Sequence, residues 1–282
     1  MKYIRSVAFL FVVFVFNTNL WAEQYTGVRM SDTGDTASVF SSKTAMAEYA
    51  TNISSQIKGS TAAILLVLGG VQDNYICHLP FPSKHKVRNV SFEKTDRFEP
   101  YLSHFDQAGV KVFLQVESGD ANVERLIKII LKRYKHHPSV VGFGVDVEWY
   151  KNKSNTKYAE GKRVSNKKAK LWEETVKSIN PNYRLFLKHW EASKMPSKYR
   201  GDLIFVDDSQ QFASLNDLVA EFTQWIDAFQ NNTVFFQYGY KADKKWWNKL
   251  KNPPIDIAQA LLKVDDSAGM FWVDFTLKDL DE

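Results

Sequence analysis

Val140-Val141-Gly142-Phe143-Gly144-Val145-Asp146-Val147-Glu148-Trp149-Tyr150 decides how this chain reads. The run has strand length, is apolar almost to its end, and places two acids just ahead of two aromatics. Strand side chains alternate faces, so Gly142, Gly144, Asp146 and Glu148 share one face and Phe143, Val145 and Val147 the other. The apolar set suits a covering layer of helices. The glycine–acid set then looks into an interior that is open low down and charged at its rim.

Working outward, similar runs recur at Tyr25–Met30, Ala62–Leu68, Val110–Val116, Tyr183–His189, Asp202–Asp208, Thr233–Tyr238 and Gly269–Phe275. With Val140–Glu148 they make eight. Several are nearly continuous in Val, Ile, Leu and Phe, as expected of parallel strands covered on both faces. Between them the period changes. Val123, Leu126, Ile127, Ile130, Leu131 and Tyr134 form one helical stripe, ended by His136-His137-Pro138. Leu171, Thr175, Val176 and Ile179 form a second, Leu218, Phe222, Trp225, Ile226 and Phe229 a third, and Ala258, Leu261 and Leu262 a fourth. Strands alternating with helices predict an α/β fold, a closed (β/α)8 TIM barrel. An open doubly wound sheet is the competitor, but no glycine-rich dinucleotide loop follows the first strand. Residues 72–98 form a long connection that holds Cys77, His85 and Arg97 and is placed to shape a rim.

Lys2 and Arg5 precede an apolar run from Val7 to Phe16, and Ala22 stands before Glu23. These features predict a signal peptide over residues 1–22 and a secreted or periplasmic protein. Residues 23–282 then form one barrel domain, with no later segment apolar enough to span a membrane. The formal net charge is +5. Loss of Lys2 and Arg5 leaves about +3, too diffuse for a nucleic-acid footprint. The single cysteine, Cys77, excludes an intrachain disulfide.

Asp146 and Glu148 stand close enough to disfavour joint ionisation, so one retains a proton. Glu148 is nearer the open end and reaches further, which makes it the candidate general acid with Asp146 tuning it. Other strand ends add Glu117, Lys188, Asp207, Asp208, Gln237 and Asp274, as barrel active sites collect groups from several strands. Trp149, Trp190, Tyr238, Tyr240 and Trp272 offer flat faces suited to sugar rings. Together these residues predict an oligo- or polysaccharide-binding pocket. The six histidines show no familiar ligand spacing, so neither a metal nor a cofactor is expected. A hard cation held by Asp146, Asp207 and Asp208, or a Cys77 nucleophile, is a weaker reading.

The Gly142–Glu148 stretch resembles the chitinase-like glycoside hydrolase family 18 and its endo-β-N-acetylglucosaminidase relatives. There the fourth strand carries Asp-Gly-x-Asp-x-Asp-x-Glu. This chain keeps the last two acids as Asp146 and Glu148 and has Val141 and Gly144 in place of the first two. Gly269-Met270-Phe271-Trp272 resembles the family's last strand, with Trp272 as pocket floor. The family's Met-x-Tyr-Asp strand is replaced by Ile204-Phe205-Val206-Asp207-Asp208, leaving Tyr238 or Tyr240 to substitute. The resemblance implies N-acetylhexosamine glycans and substrate-assisted hydrolysis, with Glu148 as proton donor and Asp146 orienting the acetamido group. Two alternatives stay open: a noncatalytic carbohydrate-binding barrel, and a conventional two-carboxylate glycosidase. Glu117, Asp207, Asp208 and Asp274 are candidates for the second acid, and separation from Glu148 decides among them.

Overall fold

The computed structural model describes residues 23–31, 42–72, 75–84, 86–152 and 160–280. The expected leader, residues 1–22, and His85 lie outside them. The strands are β1 (Tyr25–Ser31), β2 (Thr61–Gln72), β3 (Ile76–Leu79), β4 (Val90–Phe92) and β5 (Lys111–Glu117). They continue with β6 (Val140–Asp146), β7 (Arg184–Lys188), β8 (Ile204–Asp207), β9 (Thr233–Tyr238) and β10 (Gly269–Val273). The helices are α1 (Lys43–Ser55), α2 (Glu99–Ala108), α3 (Val123–Tyr134), α4 (Asn166–Ile179), α5 (Leu215–Ala228), α6 (Lys244–Trp247) and α7 (Pro253–Leu262).

All strands except β3 and β4 run parallel in the order β1-β10-β9-β8-β7-β6-β5-β2, and β2 pairs back onto β1. The sheet therefore closes and the fold is the expected (β/α)8 barrel. Closure leaves the core strands without an exposed edge. Every expected strand finds a counterpart. The fourth was expected to reach Glu148 but stops at Asp146, and Val147–Trp149 is a 3-10 turn instead; the readings Tyr183–His189, Asp202–Asp208 and Gly269–Phe275 are likewise longer than β7, β8 and β10. The connection at 72–98 is more ordered than expected, since β3 pairs antiparallel with the end of β2 and β4 lies parallel to β3. No described helix is long and apolar enough to cross a membrane.

α3 shows why these segments are helices. Asn122 caps its first turn by accepting from Arg125 N at 3.1 Å, and all six residues of the sequence stripe are buried. The strands split cleanly by parity. Tyr25, Ala63, Leu65, Phe113, Phe186, Ile204, Val206, Phe235 and Phe271 fill the barrel, while Phe143, Val145 and Val147 pack with the helices. The interior rings touch edge-on, Tyr25 to Phe113 at 5.2 Å between centroids and Phe113 to Phe235 at 5.6 Å. Gly142 and Gly144 make room for these rings. A Cβ at Gly144 would fall 1.9 Å from Phe186 Cζ, and one at Gly142 2.5 Å from Phe113 Cδ1. Above the aromatic floor the lining turns polar.

Candidate active site

Lys188 is the hub. Cα pairing of Asp146 with Lys188 across β6 and β7 sends both side chains into the barrel mouth. Lys188 Nζ lies 3.1 Å from Asp146 Oδ2 and 2.5 Å from Glu148 Oε1, and also bonds Asp208 Oδ2. The 3-10 turn after β6 brings Glu148 onto this nitrogen. Asp208 follows β8 on the same parity as Ile204 and Val206, which face the interior. Gln115, from β5, donates to Asp146 Oδ2 at 3.1 Å. The Glu148 side chain is 14% exposed, against 3% for Asp146 and 8% for Asp208. Glu148 is thus the member nearest to solvent.

One buried ammonium cannot neutralise three carboxylates, so protons remain. Burial, then the charges of Asp146 and Asp208, lift the Glu148 carboxyl well above the usual range, and its hydrogen bond to Asp208 adds to this. Burial also pushes Asp146 up, to about 7, against the pull of Lys188 and with the charges of Asp208 and Glu117 helping. Asp208 goes the other way. Burial alone would raise it, but Lys188 and the hydrogen bond from Glu148 hold it below the ordinary aspartate value. The three acids in turn outweigh burial at Lys188 and keep it charged. The proton affinities of two neighbouring carboxyls are therefore pushed in opposite directions, Glu148 upward and Asp208 downward.

Other expected residues border this centre. Glu117 pairs in register with Asp146 and accepts from Val71 N at 3.0 Å. Gln237 is fully buried, and Tyr240 donates to its Oε1 at 3.4 Å. Burial and the charge of Asp208 keep the Tyr240 hydroxyl firmly protonated. Asp274 is committed elsewhere: Oδ1 pairs with Arg29 Nη1 at 3.0 Å and Oδ2 accepts from Ser31 N at 2.6 Å. Trp149 and Trp190 are half-buried, each just beyond a hub residue, and Trp190 lies 4.3 Å from the His189 ring between centroids. His189 is neutral, its pKa pulled to about 4 by burial, with Nδ1 accepting from Glu191 N and Nε2 donating to Glu160 O.

Three expected site residues do not join, all for the same reason of strand parity. Asp207 points away from the interior; its Oδ1 takes Ser209 N at 2.8 Å and Ser209 Oγ at 2.6 Å. Tyr238 packs among the outer core and donates to Pro254 O at 3.0 Å. Trp272 is no pocket floor. It is fully buried against Trp247 and Tyr238, and its indole N–H reaches Thr276. In each case the neighbour of opposite parity, Asp208, Gln237 or Phe271, takes the inward place. The hard-cation and cysteine-nucleophile readings also fall. The Lys188 ammonium stands where a hard cation between Asp146 and Asp208 would sit, and Cys77 is wholly buried, its thiol pushed up by burial away from nucleophilic use. Arg29 and Gln115 are residues that sequence reasoning missed; Arg29 stood as a lone base within an apolar first strand, and Gln115 as one amide within an apolar run.

Among the described residues, the histidines converge elsewhere: Glu99, His136 and His137 bring three potential ligand atoms within 4.8 Å of one another in the outer helical layer.

No family model matches the chain, and no curated protein matches its sequence. Similarity appears among solved structures. A β-glucuronidase from an uncultured Clostridium sp. shares 11% identity at a TM-score of 0.52, over 89% of this chain and 43% of that one. A β-D-glucuronidase of Dictyoglomus thermophilum is similar at 11% identity and TM-score 0.48, over 87% of this chain and 43% of that one. The catalytic domain of a hyperthermophilic chitinase from Pyrococcus furiosus gives 9% and 0.47, over 89% and 84%. The chain spans about 43% of the length of the two glucuronidases. Family 18 is not singled out by these likenesses. At 11% identity, the first of them shows the fold alone, an eight-stranded parallel barrel.

Proposed function

We propose that the mouth around Lys188 is a glycosidase site of the two-carboxylate type, with Glu148 as general acid and Asp208 as nucleophile. The observation that carries this reading is the sharing of one ammonium by two carboxyls of opposed proton affinity. Glu148 and Asp208 bond the same nitrogen and each other, so they stand closer than the separation that leaves room for the interposed water of an inverting enzyme. Asp208 attacks the anomeric carbon while the Glu148 proton passes to the departing glycosidic oxygen. The glycosyl ester on Asp208 is then cleaved by water that Glu148, now a carboxylate, deprotonates. Lys188 keeps Asp208 ionised, and Asp146 adds negative charge that holds the proton on Glu148. Trp149 and Trp190 supply faces for flanking sugar rings.

The substrate-assisted route on N-acetylhexosamines is less well supported. Gly144 stands where the resembling family has an acid, and the Phe186 ring occupies the space its Cβ would need. Tyr238 faces the helices and leaves Tyr240 as the hydroxyl near the hub. On this reading the glycan is met outside the cytoplasm, and an exported protein beginning at Glu23 is the expected mature form.

A panel of aryl glycosides, including gluco-, galacto-, xylo-, glucurono- and N-acetylglucosaminides, tests the reading. Hydrolysis with retained anomeric configuration, abolished by Glu148→Gln and by Asp208→Asn, supports it. Sugar binding without turnover in the wild-type protein, unaffected by Glu148→Gln, would instead mark a noncatalytic carbohydrate-binding barrel.

A further inference from the structure

We infer that Glu99, His136 and His137 form a zinc-type metal site that clamps α2 to the turn between α3 and β6. Glu99 opens α2, and His136 and His137 lie in the turn that leads from α3 to β6. Glu99 Oε1 is 3.0 Å from His136 Nε2 and 3.3 Å from His137 Nε2. Atoms bound at about 2.0–2.2 Å around a tetrahedral zinc stand roughly 3.3 Å from one another, close to the two separations from Glu99, and all three atoms lie within 4.8 Å of one another.

The hydrogen bonds behind the imidazoles fix their tautomers. His136 Nδ1 lies 2.9 Å from Arg133 O, and a carbonyl can only accept, so that nitrogen carries its proton. His137 Nδ1 lies 2.6 Å from Asp106 Oδ2 and donates to it, while Asp106 Oδ1 is held by Ser139 N at 2.9 Å. In the neutral rings both Nε2 lone pairs are left facing the Glu99 carboxylate. A single proton between His136 and Glu99 satisfies one of them. His137 Nε2 still makes no hydrogen bond, although its side chain is only 3% exposed. Such an orphaned buried acceptor is costly unless something binds it. A dication would bind all three atoms at once.

The supporting shell is also that of a metal site. Ligating histidines characteristically donate their second N–H to a carboxylate or a backbone carbonyl, and here one does each. Two imidazoles and a carboxylate favour zinc over the oxygen-seeking calcium or magnesium. The His136 side chain is 56% exposed, leaving room for water in a fourth position.

Untagged full-length protein, stripped with a chelator and dialysed, is titrated with zinc against a chromophoric competitor. Metal is counted by mass spectrometry after gel filtration. The expected result is one zinc per chain and a zinc-dependent rise in Tm of about 5 °C. His136→Ala, at an exposed position, and Glu99→Gln lose both effects while keeping the wild-type circular dichroism. Asp106→Asn, which alters only the outer hydrogen bond, weakens zinc about 10–100-fold. Failure of the wild-type protein to retain zinc, or equal retention by His136→Ala and Glu99→Gln, overturns the proposal.

Discussion

Lys188 distributes one positive charge among Asp146, Glu148 and Asp208, and each substitution there has a distinct expected result. Glu148→Gln keeps the hydrogen-bonding shape but has no proton to give, so kcat/KM on an aryl glycoside with a poor leaving group falls about 10²–10⁴-fold. The fall is smaller on an activated leaving group, which needs no acid. Lys188→Met strands buried carboxylates and costs about 3–5 kcal/mol in urea unfolding at pH 8. The cost is smaller at pH 5, where the acids take up protons. Asp146 gives a separate pH signature. Its folded pKa is about 7, whereas an unfolded aspartate titrates near 4, so the folded chain binds more protons between those values. Stability contributed by this group drops as pH rises through that window, and Asp146→Asn flattens the slope. The sequence brought Asp146, Glu148, Lys188 and Asp208 into one candidate set. It left Asp207 and Tyr238 among them because both members of neighbouring pairs were kept, although alternation admits only one, and Trp272 because a family resemblance made it a pocket floor. The parity was legible in Ile204 and Val206, which face inward ahead of Asp208.

At the scale of elements, β6 and β7 are fitted to each other by glycine against phenylalanine. Gly144→Ala places a methyl into Phe186 and is expected to destabilise by about 1–3 kcal/mol, read from urea midpoints. Phe186→Leu in the same chain recovers part of the loss if the collision is the cause. The helices with strong stripes, α3 above all, were legible because packing and periodicity agree. β3 and β4 were not. They are four and three residues long, with half-buried polar positions, and exist because the end of β2 projects past the barrel and offers an edge. The end of β6 was misread for a related reason. Alternation continues through Glu148 in sequence, but the chain turns at Val147 to bring that carboxyl onto Lys188.

For the molecule as a whole, closure depends on β1 meeting both β10 and β2. Asp274 pins this seam by pairing with Arg29 and accepting from Ser31 N, all buried. Asp274→Ala leaves the guanidinium buried without its partner, and a loss of about 3–5 kcal/mol is expected in thermal or urea unfolding. Barrel architecture was readable from the count and spacing of apolar runs. The bonding within the hub was not, because Lys188 meets acids 40 and 20 positions away on neighbouring strands whose register no sequence motif fixes. The Glu99–His136–His137 group was hidden in the same way, its ligands lying on different elements with no motif spacing.

The division of protons between Glu148 and Asp208 is tested most directly by carbon-detected NMR titration of protein labelled at its Asp and Glu side-chain carboxyls. Glu148→Gln and Asp208→Asn assign the two signals. The expected spectrum at pH 6 shows Glu148 protonated beside an ionised Asp208. A Glu148 signal that titrates at an ordinary glutamate pH, or an Asp208 that takes up its proton first, would contradict the assignment of acid and nucleophile.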